Sequence, residues 1–331
     1  MDFNAVYYEP DILSYTLGKE LRQKYGGLPW IPIESHNKIE EMTSKPNCEF
    51  GRMKKNLIIG VRKTHKYAEN HKVSDFLVPY TSSGCSASCL YCYLVCNYNK
   101  CSYLRLFVNR EKMLEKMVRT AGKSSSPLTF EIGSNSDLVL ENTITGNLQW
   151  TIENFKNTDN GFLTFPTKFD MIDPLLPLEH RGKVIFRMSV NPKYIIQRTE
   201  FGTSPLDKRI EAVNKMCEAG YRTGILIAPI IQVEEWEKLY GELIIYLADK
   251  LSDKVKKQLF IECIFMTYSF VHRAINAEAF PNAIDLYSNE KMTGGGRGKY
   301  YYRKELKEEG EAFLRKELSH KLNEAEILYF C

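Results

Sequence analysis

From residue 76 onward, short runs of β-branched and aromatic residues alternate with longer stretches in which apolar positions recur every three or four residues. That alternation is the pattern of βα units laid on a parallel sheet. Strands are predicted at 76–80, 128–132, 162–165, 184–190, 223–227 and 259–265, and helices at 111–120, 142–155, 205–219 and 234–251. Ser204-Pro205 followed by Asp207 makes a helix start, and Gly220 makes a stop. The order of elements predicts an α/β fold, a curved and partly closed (β/α)6 barrel of the TIM type. The barrel would occupy 76–270, with an N-terminal extension, 1–75, packed on it and a C-terminal extension, 271–331.

In such barrels the working groups sit at the C-terminal ends of the strands and on the loops that follow. Cys85, Cys89 and Cys92 directly follow the first predicted strand. Glu131, Ser134, Ser136 and Asp137 follow at the second, Lys168 after the third, and Ser189 and Asn191 at the end of the fourth. Taken singly, each polar group reads as a loop cap or a solvated side chain, and their shared position relative to the strands favours a site. The N-terminal extension carries Ile59-Gly-Val-Arg-Lys-Thr-His65, a short strand ending in basic residues. In the C-terminal extension, Met292-Thr-Gly-Gly-Gly-Arg-Gly-Lys-Tyr-Tyr-Tyr-Arg-Lys304 reads as a hairpin whose tip is glycine-rich. There Arg297, Lys299, Tyr300 and Arg303 interleave cations for phosphate with aromatic faces for bases, although 300–302 also reads as a plain strand with one buried face.

Composition narrows the class. With 44% apolar and 12% aromatic residues the chain can build a sizeable core, and no apolar run approaches the ~20 residues needed to cross a bilayer. A net charge of +4, from 45 cations and 41 anions, permits a polyanionic partner without demanding one. Nine cysteines, an odd number, in a chain whose first residues lack a basic-then-apolar signal segment read as the reduced thiols of a cytoplasmic protein.

Spacings of three and two between Cys85, Cys89 and Cys92 let one loop wrap a [4Fe-4S] cluster, ligating three irons and leaving the fourth open. A structural zinc site would need a fourth Cys or His in a second closely spaced pair, and the sequence offers none. CxxxCxxC is the hallmark of the radical S-adenosylmethionine (SAM) superfamily. Across nearly its whole length the chain also resembles the spore photoproduct lyase family, radical SAM enzymes that reverse a UV-induced thymine dimer in spore DNA. The resemblance rests on Val6-Tyr-Tyr-Glu-Pro10 with Leu17-Gly-Lys-Glu-Leu21, on Ile59-Gly-Val-Arg-Lys-Thr64, and on the cluster loop with Tyr91 and Tyr93. It continues through Phe130-Glu131 with Ser136-Asp137, Thr167-Lys-Phe169, Gly202-Thr-Ser-Pro-Leu-Asp-Lys-Arg-Ile-Glu-Ala212, Ile227-Ala-Pro-Ile230, Gly298-Lys-Tyr300 and Ile327-Leu-Tyr-Phe330.

The resemblance implies a barrel of the radical SAM kind, reductive cleavage of SAM to a 5′-deoxyadenosyl radical, a nucleic-acid substrate, and a reductant such as flavodoxin or ferredoxin. It implies that Ser136, Asp137, Lys168 and Ser189 hold the methionyl and ribose groups of SAM, and that Tyr91 and Tyr93 form a relay returning the radical to it. It also implies a thiol in a Glu-Ala-Ser-Cys-Thr-Ser-Asp-like stretch that quenches the product radical. Here that stretch reads Glu131-Ile-Gly-Ser-Asn-Ser-Asp137, so Ser134 stands at the donor position. Because an O–H bond is far stronger than an S–H bond, serine cannot replace the donor. Cys96 and Cys101 are the nearest other thiols in sequence, with Cys263 and Cys331 further on; Cys48 and Cys217 read as ordinary apolar positions. After the last strand Phe265-Met-Thr-Tyr268 stands where the family has Gln, His and Arg, a change on the substrate side. Two other readings remain open: the same radical chemistry on a different substrate, and a non-catalytic iron–sulfur protein that binds nucleic acid.

Overall fold

The computed structural model describes residues 2–331 and is built on two main sheets. The larger has eight strands in the order Glu326–Phe330, Phe260–Phe265, Arg222–Ile230, Val184–Val190, Gly161–Thr167, Leu128–Glu131, Phe76–Leu77 and Ala68–Glu69. All neighbours are parallel except the edge pair Ala68–Glu69 with Phe76–Leu77. This is the curled, partly closed barrel sheet that the sequence predicts.

Val184–Val190 explains the centre of the sheet: every residue of Val-Ile-Phe-Arg-Met-Ser-Val is buried. A mostly apolar run, with Arg187 and Ser189 as its two polar residues, suits a parallel strand covered on both faces. Helix Leu206–Glu218 packs against it, with Leu206, Ile210, Val213 and Met216 on the buried face, and the chain turns out of the helix at Gly220, where φ is +88°.

Three departures from the sequence pattern have local causes. The predicted helix 142–155 is two helices, Leu138–Thr145 and Asn147–Phe155, because Asp137 caps the first and Gly146 breaks the run at φ +66°. The first barrel strand is only Phe76–Leu77, since beyond the Val78 amide, which still donates to the Glu131 carbonyl at 2.8 Å, Pro79 has no amide proton to continue the ladder. A seventh parallel strand, Glu326–Phe330, extends the sheet beyond the six predicted.

The second sheet has five strands, in the order Trp30–Pro32, Ala5–Tyr8, Asn56–Gly60, Arg105–Phe107 and Ser82–Ser83. It draws two strands from beyond residue 75, so the N-terminal region and the cluster loop share one sheet. A small antiparallel sheet, Thr267–Ser269 with Lys299–Tyr302 and Met292–Gly294, forms the C-terminal hairpin. Among the described residues no helix is long and apolar enough to cross a membrane.

Candidate active site

The three cysteines lie between Ser82–Ser83 and helix Leu94–Tyr98, at the mouth formed by the C-terminal ends of the parallel strands. Gly84 opens this loop at φ +75°, and a Cβ there would meet the Tyr103 carbonyl oxygen at 1.9 Å. Only glycine fits so close an approach. Cys85 is buried, and Cys89 and Cys92 are half-buried. Among the described residues no three His, Cys, Asp or Glu side chains converge as the ligands of a single ion would. A cubane, by contrast, asks each thiolate to reach a separate iron, and the donor set fits it.

Four residues pin the loop. Cys89 pairs with Glu200 across a short antiparallel ladder. Asn276 donates to the Leu90 carbonyl at 2.8 Å, and His272 Nε2 lies 2.8 Å from the Cys92 carbonyl oxygen. From the N-terminal sheet side, Lys54 Nζ donates to the carbonyls of Cys85, at 3.0 Å, and Ser102, at 2.9 Å. Burial pushes the Cys85 thiol up to about 12, with Lys54 pulling against it, so metal must displace a proton when it binds. Burial likewise pulls the Lys54 ammonium down, opposed by Cys92, Cys85 and Cys89.

Behind the loop lies a connected polar network. Lys168, just past Gly161–Thr167, donates to Ser189 Oγ at 2.7 Å, the Ala228 carbonyl at 3.0 Å and Glu200 Oε1 at 3.2 Å. Those three bonds use all the protons of its ammonium. Glu200 also accepts from the Tyr91 hydroxyl, from Asn191 at 3.1 Å and from Arg209 Nη2 at 2.5 Å. Although burial raises the Glu200 carboxyl, Lys168 and Arg209 hold it down to about 2. The carboxylate is therefore charged, and the tyrosine beside the cluster ligands donates to an anion.

Of the residues the resemblance assigns to SAM, Lys168, Ser189 and Asp137 join this network, and Ser136 belongs to a neighbouring one with Ser82 and Glu141. Asp137 is the N-cap of helix Leu138–Thr145, accepting from the amides of Val139 and Leu140. Its oxygens also take the Thr167 hydroxyl at 2.8 and 2.9 Å and the Lys168 amide at 2.9 Å. Burial raises its pKa and the bonds from Lys168, Thr167 and the cap oppose the shift. The side chain thus ties the ends of two strands together and fixes where Lys168 and Ser136 stand. Ser136 Oγ is 2.5 Å from Ser82 Oγ, and Ser82 in turn donates to the buried Glu141 at 2.6 Å.

Below this level, Arg187 crosses the barrel interior. It contacts Glu131 at 2.5 Å, Glu262 at 3.0 Å and Thr164 Oγ1 at 2.9 Å. Tyr329 of the C-terminal strand donates to Glu262. The network bolts five strands together beneath the site and gives the guanidinium the charged partners that burial demands.

The remaining predicted residues are spread more widely. Tyr91 is buried, whereas Tyr93 is 53% exposed. Cys96 Sγ lies 3.8 Å from Ser269 Oγ, which is 2.7 Å from His272 Nδ1. Cys101 faces elsewhere, packed against the Tyr7, Met42 and Ile58 cluster. Arg297 is exposed at the hairpin tip, Lys299 and Tyr300 are half-buried on its second strand, and Arg303 is braced against the carbonyls of Glu290 and Asn289. Ser269 pairs with Lys299, which sets the hairpin beside the cluster loop. Ser134 is half-buried in the loop after Leu128–Glu131.

Sequence reasoning did not pick out Glu200, Arg209, Lys54, Ser269 or His272. Arg209 left a signal: it occupies a core position between Leu206 and Ile210 on an amphipathic helix, where a charged side chain needs a buried partner.

The family model for spore photoproduct lyase matches residues 2–331. Spore photoproduct lyase of Bacillus subtilis (strain 168) is 35% identical over 321 residues, covering 93% of this chain and 94% of the relative. That of Geobacillus sp. (strain Y412MC61) is 32% identical over 333 residues, covering 98% and 97%. A solved spore photoproduct lyase complexed with dinucleoside spore photoproduct superposes with a TM-score of 0.92 at 32% identity over 99% of both chains. A mutant of spore photoproduct lyase with bound AdoMet and dinucleoside spore photoproduct gives the same TM-score, identity and coverage.

Proposed function

Since the chain belongs to the spore photoproduct lyase family, we propose that it is a radical SAM lyase that repairs the UV thymine photoproduct of DNA. The observation that supports this most directly is the joining of the three-cysteine loop to the Lys168–Glu200–Tyr91 network at one end of a parallel barrel. When bound, the cluster and SAM would together supply a 5′-deoxyadenosyl radical to take a hydrogen atom from a thymine ring, after which the carbon–carbon bond linking the two thymines can break.

This chain's own residues supply position and charge. Cys85, Cys89 and Cys92 hold the cluster. Lys168 and Ser189 face the methionyl and ribose groups of SAM, with Ser136 beside them, and Asp137 fixes the Lys168 backbone by accepting from its amide. Tyr91 passes its proton toward Glu200 when it is oxidised, and the exposed Tyr93 meets SAM. Arg297, Lys299 and Tyr300 contact the nucleic acid, and Arg303 stiffens the hairpin that presents them. A small electron-transfer protein of the flavodoxin or ferredoxin class delivers the electron in a cytoplasmic setting.

A second reading, the same chemistry on another substrate, is favoured by Ser134. With serine at the position of the family's thiol donor, Cys96 is the better placed substitute of the two nearby thiols, because Ser269 links it to the hairpin and Cys101 packs into the N-terminal core.

The test is anaerobic turnover of dinucleoside photoproduct by reconstituted protein with SAM and dithionite, read as thymidine formed. Repair predicts thymidine in the parent chain and a higher thymidine yield in Ser134→Cys. SAM cleavage with the photoproduct left intact in both would assign the chain to another substrate.

A further inference from the structure

Lys54 is a buried ammonium whose position the lyase reading does not use. It is 2% exposed and lies at the C-terminal end of the short helix Phe50–Met53, in the N-terminal region. Its Nζ bridges the carbonyls of Cys85 and Ser102. Two carbonyl acceptors could be satisfied by a neutral donor, and burying a cation is costly unless an anion compensates it. Among the described residues no carboxylate oxygen lies within 4.0 Å of that nitrogen. Arg105, a second buried cation close by, adds repulsion. The anions that can balance Lys54 are the sulfurs of Cys85, Cys89 and Cys92 once they are deprotonated by iron.

We infer that Lys54 is the resident counter-cation of the iron–sulfur cluster, holding Cys85 by its carbonyl and raising the reduction potential of the thiolate-bound metal. The inference rests on the reading that Cys85, Cys89 and Cys92 hold a cluster. The physical reason is simple. A cluster bound by three thiolates becomes more negative on accepting an electron, and a fixed positive charge nearby stabilises the reduced form more than the oxidised form. Because the site is buried, water screens that interaction weakly. Lys54 enters from the N-terminal region, between helix Phe50–Met53 and strand Asn56–Gly60, and not from the barrel, so this region supplies part of the cluster's electrostatic environment. It tunes and positions, and touches neither SAM nor substrate.

The test compares the full-length parent with Lys54→Gln, which keeps hydrogen-bond donors and removes the charge, and Lys54→Arg, which keeps the charge. Each is reconstituted anaerobically and titrated potentiometrically, with the cluster followed by electron paramagnetic resonance. The expected result is a midpoint displaced to more negative potential in Lys54→Gln and close to the parent in Lys54→Arg. Equal midpoints in parent and Lys54→Gln at equal iron content would overturn the inference, as would the same displacement in both variants. Should Lys54→Gln take up no iron, loading of Lys54→Arg together with parent-like melting of iron-free Lys54→Gln supports the charge role. An iron-free Lys54→Gln that melts well below the parent makes Lys54 a structural brace and overturns it. A parent chain that binds no iron refutes the cluster reading itself.

Discussion

Glu200 joins a tyrosine, a lysine and an arginine through one carboxylate, and its side chain is fully buried. Removing one member of such a set leaves the others charged and unsolvated, which costs about 3–5 kcal/mol. Glu200→Gln is therefore expected to lower the urea-unfolding free energy by that order, measured on the iron-free chain. The pH dependence has a definite sign. The carboxyl sits at about 2 in the folded protein against its ordinary 4.5, so its contribution is complete above the ordinary value and is lost as pH falls from there toward 2. In Glu200→Gln the acid limb of stability should be flatter over that window. Identical acid unfolding of the two chains would show that the network does not hold the charge described. At this scale the sequence revealed residue types better than partners: Lys168 and Ser189 were legible from their strand ends, whereas Glu200 and Lys54 acquire meaning only from residues brought to them by folding.

Among the elements, the cluster loop depends on a close backbone approach. Gly84 lacks the Cβ that would strike Tyr103, and its amide donates to the Asn135 carbonyl at 2.8 Å. Gly84→Ala should move the loop away from both and reduce iron bound per chain after reconstitution to less than half, with far-ultraviolet circular dichroism little changed. Full iron content in Gly84→Ala would mean that the loop tolerates the displacement. Strand Val184–Val190 was legible to the residue, because a run rich in β-branched and apolar residues, broken only by Arg187 and Ser189, reads as a strand inside a βα pattern. The split of helix 142–155 at Gly146 was not, since its cap, Asp137, had been assigned to cofactor chemistry and not to a helix start. Strand Glu326–Phe330 is not marked by the local pattern, because its pairing with Phe260–Phe265 depends on contacts more than 60 residues apart.

For the whole molecule, the two sheets meet at the cysteines: the barrel side contributes Lys168, Ser189 and Glu200, the second sheet contributes Ser82, and the N-terminal helix Phe50–Met53 presents Lys54 at its end. The barrel was legible from alternation of elements. The shared second sheet was not, because its strands Ser82–Ser83 and Arg105–Phe107 are short and come from chain counted with the barrel. The C-terminal hairpin is tied to the same centre through Ser269 and His272, and under the proposed function it would give a chain of modest net charge, +4, a local place for nucleic acid. All of these parts presuppose that the loop holds a cluster with one iron open to SAM. The most direct measurement is 5′-deoxyadenosine formed when the anaerobically reconstituted chain is given SAM and dithionite. The account predicts about four irons per chain with 5′-deoxyadenosine produced, and loss of both when Cys85, Cys89 and Cys92 are replaced by alanine. Zinc or no metal in the parent chain, or a full cluster that leaves SAM intact, would contradict it.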